Sequence, residues 1–385
     1  MSKFQKAIIA FLSVILIGTI GLALWIIPIW QTPLGPPLQA YPTASPFGLP
    51  ATWTPDADAT ATRLAASTQF VPVTHVSPLP TITPNVGMCG APPVMNILVV
   101  GSDSRAESYK YGLADSIRLV RVNFVDPGVT VLEIPRDLWV EIPDIADNIN
   151  GQDHEKLNQA YLYGNKGFGY TDDLTQGPGL LSRTLNLNFG VQVSNYAALN
   201  MKTFVNIVNA VGGIDVVLPK AVDGRTADDT SERLLFTEGK HHLNGDRALT
   251  LARIRISGVF NRAENQDRVL CALRDKLASP STITKIPDLI QSFRDSVQTD
   301  LSPAQLGQLA CIGTQIKPEN IRFAVFPQEL FKQTRIYDPV FKARVFIWDV
   351  DFDILRDYIA QFQAGTWPPP VTDTPESKNE VPFCP

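Results

Sequence analysis

Cysteine is scarce: Cys89, Cys271, Cys311 and Cys384 are the four in 385 residues. That is too few for a disulfide-built scaffold, and no Cys-x-x-Cys pair or Cys/His cluster has zinc-site spacing. The four histidines, His75, His154, His241 and His242, make no triad pattern; His75 falls in a linker, and His241-His242 reads as a surface turn flanked by glycine. No G-x-S-x-G, H-E-x-x-H or P-loop pattern occurs, so three common hydrolytic and nucleotide chemistries lack their motifs. A surplus of positive charge is missing too. The 33 lysines and arginines against 38 acids leave −5, which argues against general nucleic-acid binding. What is present is apolar: a hydrophobic content of 44% excludes a wholly disordered chain.

Much of that apolar character sits near the start. Residues 7–30 contain no charged side chain. As a helix they would be about 36 Å long, enough to cross a hydrocarbon core of ~30 Å. Lys3 and Lys6 in residues 1–6 favour a cytoplasmic N-terminus. Trp25 and Trp30 suit the outer interfacial belt. A cleaved signal peptide is the alternative, but its apolar stretch is shorter and ends in a small-x-small site, which does not follow here. The expectation is a single-pass protein of the cell membrane with an extracytoplasmic globular part. Residues 31–93 are rich in proline, threonine and alanine. Such sequence tends to extended polyproline II and reads as a linker that holds the globular part off the membrane. An extracytoplasmic site is oxidising. Of three possible pairings we expect Cys89–Cys384 with Cys271–Cys311, buried free thiols being the alternative.

From Val94 on, the pattern alternates. VMNILVVG (94–101) is a short apolar run closed by glycine and reads as a buried strand, and SIRLVRVN (116–123) and VTVLEI (129–134) read as a hairpin about Asp126-Pro127-Gly128. Helical spacing appears over 178–187, 201–211, 266–277, 286–297 and 303–312, with further strands at 195–200 and 214–218. A helix from Gly245 leads into a short strand around Arg253–Arg255. Interleaved strands and helices predict an α/β class with a mixed central sheet flanked by helices. We divide the chain into a cytoplasmic tail (1–6), a transmembrane helix (7–30), the linker (31–93), a catalytic domain (94–279), an extension packed on the core (280–363) and a tail (364–385).

Four constellations carry chemistry. Asp103 follows a strand in GSDSR, and Asp115 precedes one in ADS. Two carboxylates with neighbouring hydroxyls suit an oxygen-loving cation such as Mg²⁺, and the same residues suit turns and caps. Arg136 in IPRD closes a strand, either facing a crevice or pairing at the surface. Arg253 and Arg255, two apart on a strand, share a face and form a fork for phosphate or pyrophosphate. Arg262 and Gln266 stand one helical turn apart and can join them.

In this order, NILVVGSDSR, ADS, VTVLEIPRD, KLNQAYLYG, GPGLLSRTLN, MKTFVNIVNAVGGIDVVLP, LNGDRALTLARIR and NR with Gln266 resemble the LytR-CpsA-Psr family, over about residues 94–277. The resemblance implies a magnesium-dependent phosphotransferase. It would take a glycopolymer from a polyprenyl-pyrophosphate carrier and attach it to a cell-wall sugar of peptidoglycan type through a phosphodiester. It implies Asp103 and Asp115 for Mg²⁺, and Arg136, Arg253, Arg255, Arg262 and Gln266 for the pyrophosphate; the catalytic set is then Asp103, Asp115, Arg136 and Arg255. One of the aspartates could also accept the sugar proton. The helix face with Phe204, Val205 and Val208 suits either a prenyl pocket or ordinary core.

Three positions depart from the family pattern. Ala114 and Asn265 stand where an arginine is usual, and Val259 where an acid is usual. Arg105, Arg118 or Lys156 are the candidates to compensate. The departures motivate a second reading, a non-catalytic protein that binds lipid-linked or phosphorylated glycans. Transcriptional regulation conflicts with a cytoplasmic tail of six residues and with the lack of a helix-turn-helix pattern. The partners implied are a lipid-linked glycan, a wall polysaccharide and the membrane, with no nucleic acid.

Overall fold

The structure, a computed structural model, describes residues 28–39, 86–104, 109–254, 259–283, 288–289, 293 and 296–369; for 259–263, 280 and 283 it describes the backbone alone. Strands β1 (Val94–Ser102), β2 (Ala114–Asn123) and β3 (Gly128–Glu133) come first. The small pair β4 (Trp139–Glu141) and β5 (His154–Lys156) follows, then helices α1 (Leu157–Gly164) and α2 (Gly177–Phe189), then β6 (Asn195–Asn200) and α3 (Met201–Ala210). A side lobe holds β7 (Ile214–Leu218), β8 (Val222–Asp223), β9 (Leu235–Phe236), β10 (Gly239–Leu243) and α4 (Gly245–Arg253). Helix α5 (Val259–Ala278) and the single turn α6 (Pro280–Ile283) lead to β11 (Gln298–Thr299), α7 (Pro303–Gly313) and β12 (Ile321–Ala324). The hairpin β13 (Lys332–Asp338) and β14 (Ala343–Asp349) precedes α8 (Phe352–Ala364).

Six strands form one mixed sheet in the order β11-β6-β1-β2-β3-β12. The β1/β6 and β3/β12 pairs are parallel and the others antiparallel. The expected class therefore holds. The period of two in β1 sorts its side chains between two cores. Leu98 and Val100 pack with α1, α2 and α8, whereas Met95 and Ile97 pack with Phe124, Leu301 and Ile312 beneath α7. A third cluster joins α3, α4 and α5 to the β7/β10 pair through Val208, Ile214, Leu251 and Val269.

Local signals account for several element ends. Asn200 caps α3 by accepting from Thr203 N at 2.8 Å, and Gly212 and Gly213, both at φ +83°, stop the chain after it. Ser302 and Gln305 form a reciprocal capping box on α7, with Pro303 in its first turn. Other expectations change. Residues after 279 supply both edge strands of the central sheet, so 280–363 completes the fold as well as packing on it. Arg253 is the last residue of a helix rather than part of a strand, because the apolar spacing of α4 continues through Leu251 into the lobe core. His241 and His242 lie in β10, paired with β7, where His242 Nδ1 meets Asp215 Oδ1 at 2.9 Å. Most of the helix expected at 286–297 falls outside the described residues.

The linker does not begin where its composition does. Leu34 N donates to the Leu301 carbonyl at 3.3 Å, and Leu38 packs against the main core, so residues 34–38 lie on the domain. Residues 40–85 are outside the described part, as are 7–27 of the expected span. Among the described residues no helix is long and apolar enough to cross a membrane.

The disulfide pairing also differs from expectation. Cys89 is bonded to Cys311, with Cα atoms 6.1 Å apart, in place of Cys271–Cys311 and Cys89–Cys384. The turn at 88–90 lies against α7, where Gln308 Nε2 donates to the Gly90 carbonyl at 2.9 Å, so these two cysteines face each other. Cys271 is also disulfide-bonded, and Cys384 is outside the described residues. Closing a loop across 222 residues restricts the unfolded chain strongly. The double change Cys89→Ser with Cys311→Ser should lower unfolding free energy by roughly 2–5 kcal/mol in urea melts.

The β4/β5 pair meets the β13/β14 hairpin through two buried carboxyl groups. Glu155 is 0% exposed and Asp338 1% exposed. Asp338 Oδ1 accepts from Val340 N and Phe341 N at 2.8 and 3.0 Å, pinning the hairpin turn. Burial, and after it the charge of Asp338, pushes the Glu155 carboxyl up to about 8. The folded chain thus holds a proton that the unfolded chain releases near 4.5, and stability falls as pH rises from that value to about 8. The slope should be at most about 1.4 kcal/mol per pH unit. Urea midpoints from pH 5 to 9 should flatten across this window in Glu155→Gln.

Candidate active site

The site lies at the end of the sheet where β1 stops and β2 starts. Gly101 pairs with Ser116 but Ser102 with Ala114, so Asp115 is the extra residue of a bulge. A bulge re-aims a side chain without breaking the strand. On the facing strand Asp103 is fixed twice to Leu113: Asp103 N donates to the Leu113 carbonyl at 3.1 Å, and Leu113 N donates to Asp103 Oδ1 at 2.7 Å. Asp103 is therefore held opposite Leu113, one rung beyond the Ser102–Ala114 pair, and Asp115 at the bulge on the other side of that pair. Tyr109 pins the loop between them, its hydroxyl donating to Ser296 O at 2.7 Å and accepting from Asn200 N at 3.1 Å.

Arg136 leaves the end of β3 and pairs through Nη1 with Asp115 Oδ1. Its Nε donates to Asp137 Oδ2 at 3.2 Å, and Lys156 Nζ donates to Asp137 Oδ1 at 3.1 Å. Lys156 thus belongs to the Arg136 cluster. Arg253 is exposed at the end of α4. Gln266 on α5 donates to the Ala252 carbonyl at 3.3 Å. Asp115, Arg253 and Gln266 all line one cavity of about 380 Å³, whose body is Val99, Leu199, Phe204, Leu249, Val269 and Leu270. Of the candidate prenyl face, Phe204 is in this wall, whereas Val208 is fully buried in the lobe core.

Arg118 has a different role from the one its charge suggests. It is 3% exposed and pairs with Asp267, with Glu133 Oε2 at 2.9 Å and with Gln266 Oε1 at 3.3 Å. Burial pushes Asp267 up to about 6, against the pull of the adjoining guanidinium. Arg118 bolts α5 to the sheet and sets Gln266 in place. Ala114, 0% exposed, and Asn265, 6% exposed, are packed positions.

Sequence reasoning placed Asp103, Asp115, Arg136, Arg253 and Gln266, and the structure brings the last four of these to one rim. Arg105 and Arg255 lie outside the described residues, and of Arg262 the backbone alone is described, within α5. Two contributors escaped it. Asn200, the cap of α3, stands in the cavity wall with Met201, so the positive end of that helix faces the mouth. An asparagine before the MKTF run was the signal for it. Arg118 was read as a spare cation; its distance from Arg121, three residues, puts the two on opposite faces and was the hint that one faces a packed helix.

A family model described as LytR_cpsA_psr family matches residues 81–344. The chain belongs to that family. Among sequence relatives, the Bacillus subtilis (strain 168) protein named polyisoprenyl-teichoic acid–peptidoglycan teichoic acid transferase TagV is 31% identical over 209 residues, 54% of this chain and 49% of TagV. A Bacillus mycoides (strain KBAB4) protein with the corresponding name, TagU, is 29% identical over 215 residues, 55% of this chain and 62% of TagU. The chain thus spans about half the length of the first curated relative and less than two thirds of the second. The crystal structure of B. subtilis TagV superposes with a TM-score of 0.52 at 24% identity, over 70% of this chain and 96% of that one. That likeness is one of fold. The LytR_cpsA_psr match extends past residue 279, in keeping with the edge strands found there.

Arg118→Leu should strand Asp267 as a buried carboxyl group, leave the half-buried Glu133 without this partner, and cost about 3–5 kcal/mol in chemical denaturation. Arg136→Leu, at the more open rim, should cost about 1 kcal/mol or less.

Proposed function

We propose that the chain is a membrane-anchored, extracytoplasmic phosphotransferase. It moves a glycopolymer from a polyprenyl-pyrophosphate carrier to a cell-wall sugar of peptidoglycan type, with Mg²⁺. The observation that carries this reading is the cavity of about 380 Å³, with an apolar body and a mouth set with Asp115, Arg253 and Gln266. A pyrophosphate with a prenyl tail has the same division. The names of TagV and TagU, which join a polyisoprenyl-linked polymer to peptidoglycan, support the substrate class.

The donor set suits Mg²⁺. Asp103 and Asp115 offer hard oxygens from the neighbouring ends of β1 and β2, on either side of the Ser102–Ala114 pair, and Mg²⁺ commonly takes one or two carboxylates while keeping water and substrate phosphate as its other ligands. Bound there, the ion would neutralise phosphate charge. The chain's own groups do the rest. Arg136 and Arg253, with the start of α3, attract and orient the diphosphate. The acceptor hydroxyl oxygen bonds to the phosphorus that carries the polymer. The bond from that phosphorus to the bridging oxygen breaks, and polyprenyl phosphate leaves. The hydroxyl proton passes to one of the two aspartates. Arg255 and Arg262 join the phosphate-binding set on the family resemblance.

The second reading, binding without transfer, draws on the commitment of two arginines. Arg118 is consumed by Asp267 and Glu133, and Arg136 pairs with Asp115 and Asp137. The full chain in detergent, given polyprenyl-pyrophosphate oligosaccharide with and without Mg²⁺, separates the two. Magnesium-dependent release of polyprenyl phosphate, lowered at least ~100-fold in Asp103→Ala and Arg136→Ala, is expected. Tight carrier binding without release would instead establish the second reading.

A further inference from the structure

The chain meets its domain directly after the expected span. Residues 28–31 are helical, and Thr32 closes that turn, its N and Oγ1 donating to the Pro28 carbonyl at 3.0 and 2.7 Å. Trp30 sits beside α7, its ring 3.9 Å from the place of a Cβ on Gly307. Leu34 N then bonds to Leu301 O at 3.3 Å, Tyr196 OH donates to Pro36 O at 3.2 Å, and Leu38 N donates to Asp300 Oδ2 at 3.3 Å. Asp300 is 3% exposed and also accepts from Tyr196 N at 2.8 Å, so one buried carboxylate holds both this segment and β6. Gly35 runs so close to β11 that a Cβ would lie 2.6 Å from the Thr299 carbonyl oxygen.

The surface beside this segment is unusual. Residues 301–316, which include all of α7, contain no charged side chain. Residues 303–311 are each half-buried, and Ile29 and Trp30 are 56% and 51% exposed next to them. Under α7 opens a second cavity of about 450 Å³, with Leu34, Leu306, Leu309 and Ala310 in its wall. The far end of the proline-rich stretch returns to the same helix through Cys89–Cys311.

We propose that residues 32–38 are a strap that seats the α7 face and the mouth of this cavity directly on the outer leaflet of the bilayer. The proposal rests on the membrane-anchor reading above. An uncharged helix can approach the acyl boundary without the desolvation cost that lysine or glutamate would impose. Because the end of the span already touches α7, the domain does not stand off on its linker. Leu38 is held at Asp300 and Cys89 at α7, so both described flanks of the proline-rich stretch lie on the domain.

The test uses the full chain in phosphatidylcholine/phosphatidylglycerol vesicles with a photoreactive benzoylphenylalanine at Gly313, where an added Cβ meets nothing within 4 Å. A second chain carries the probe at Tyr337, 61% exposed on the β13/β14 hairpin, which packs with the opposite core. Lipid adducts should form at Gly313 and be about tenfold fewer at Tyr337. Gly35→Val should reduce the Gly313 adducts about tenfold while the chain stays in the alkali-washed membrane fraction. A chain that stays in that fraction with Gly313 no more reactive than Tyr337 overturns the seat alone. A chain that the alkaline wash removes overturns the anchor reading and the seat with it.

Discussion

The buried guanidinium of Arg118 is the interaction on which the site depends. It reaches out of the middle of β2 and is met by one acid from β3 and one from α5. Two carboxylates around one cation are tolerable because Glu133 keeps some contact with solvent and the hydrogen bonds are directional. The consequence is geometric. Helix α5 is held against the sheet at a fixed height, and the gap beneath it, walled by Phe204 from α3 and Val269 and Leu270 from α5, stays open as a cavity. Without that bolt the apolar walls would be free to close on one another.

The same sheet keeps apolar and charged chemistry apart. Along β1 the side chains alternate between two cores, and both are shut off from solvent. Apart from Arg118, the charged residues that the sheet brings to the site stand at the strand ends, where the alternation stops. Asp103 lies one residue beyond β1, Asp115 is the bulged residue at the start of β2, and Arg136 follows the end of β3. Three loops meet there because two hairpins and a bulge bring their strand ends to one edge. An ionic cluster at that edge keeps access to water, and so avoids much of the desolvation cost that a buried pair incurs.

Legibility in the sequence followed the same division. The sheet and its class could be read because period-two strands and capped amphipathic helices are local patterns, as in β1 and α3. Asp103, Asp115 and Arg136 could be read because each stands at the end of such a pattern. What could not be read was pairing between distant segments. Cys89 meets Cys311 because the turn before β1 lies on α7, and β12 joins the sheet beside β3, both across roughly two hundred residues. Composition misled at residues 34–38. A proline-rich stretch was read as solvated spacer, yet proline-rich chain already has the extended shape that lies along a sheet edge, and its carbonyls still accept hydrogen bonds.

The departures at Ala114 and Asn265 take on a definite meaning in this setting. Both are packed inside, so a long cation at either would have to lead its charge out past neighbours that leave little room. Their loss is therefore not a simple subtraction from an exposed anion site. Asn265 is adjacent to Gln266, which Arg118 and the Ala252 carbonyl hold from two sides. The mouth of the cavity is thus organised by a neutral amide and a structural arginine, with Arg136, Arg253 and the cap of α3 supplying positive potential around it. Fewer mobile cations leave a mouth that relies more on fixed dipoles. Fixed groups need no reorganisation as charge shifts between leaving and attacking oxygens, so the proposed phosphoryl transfer would suit such a mouth.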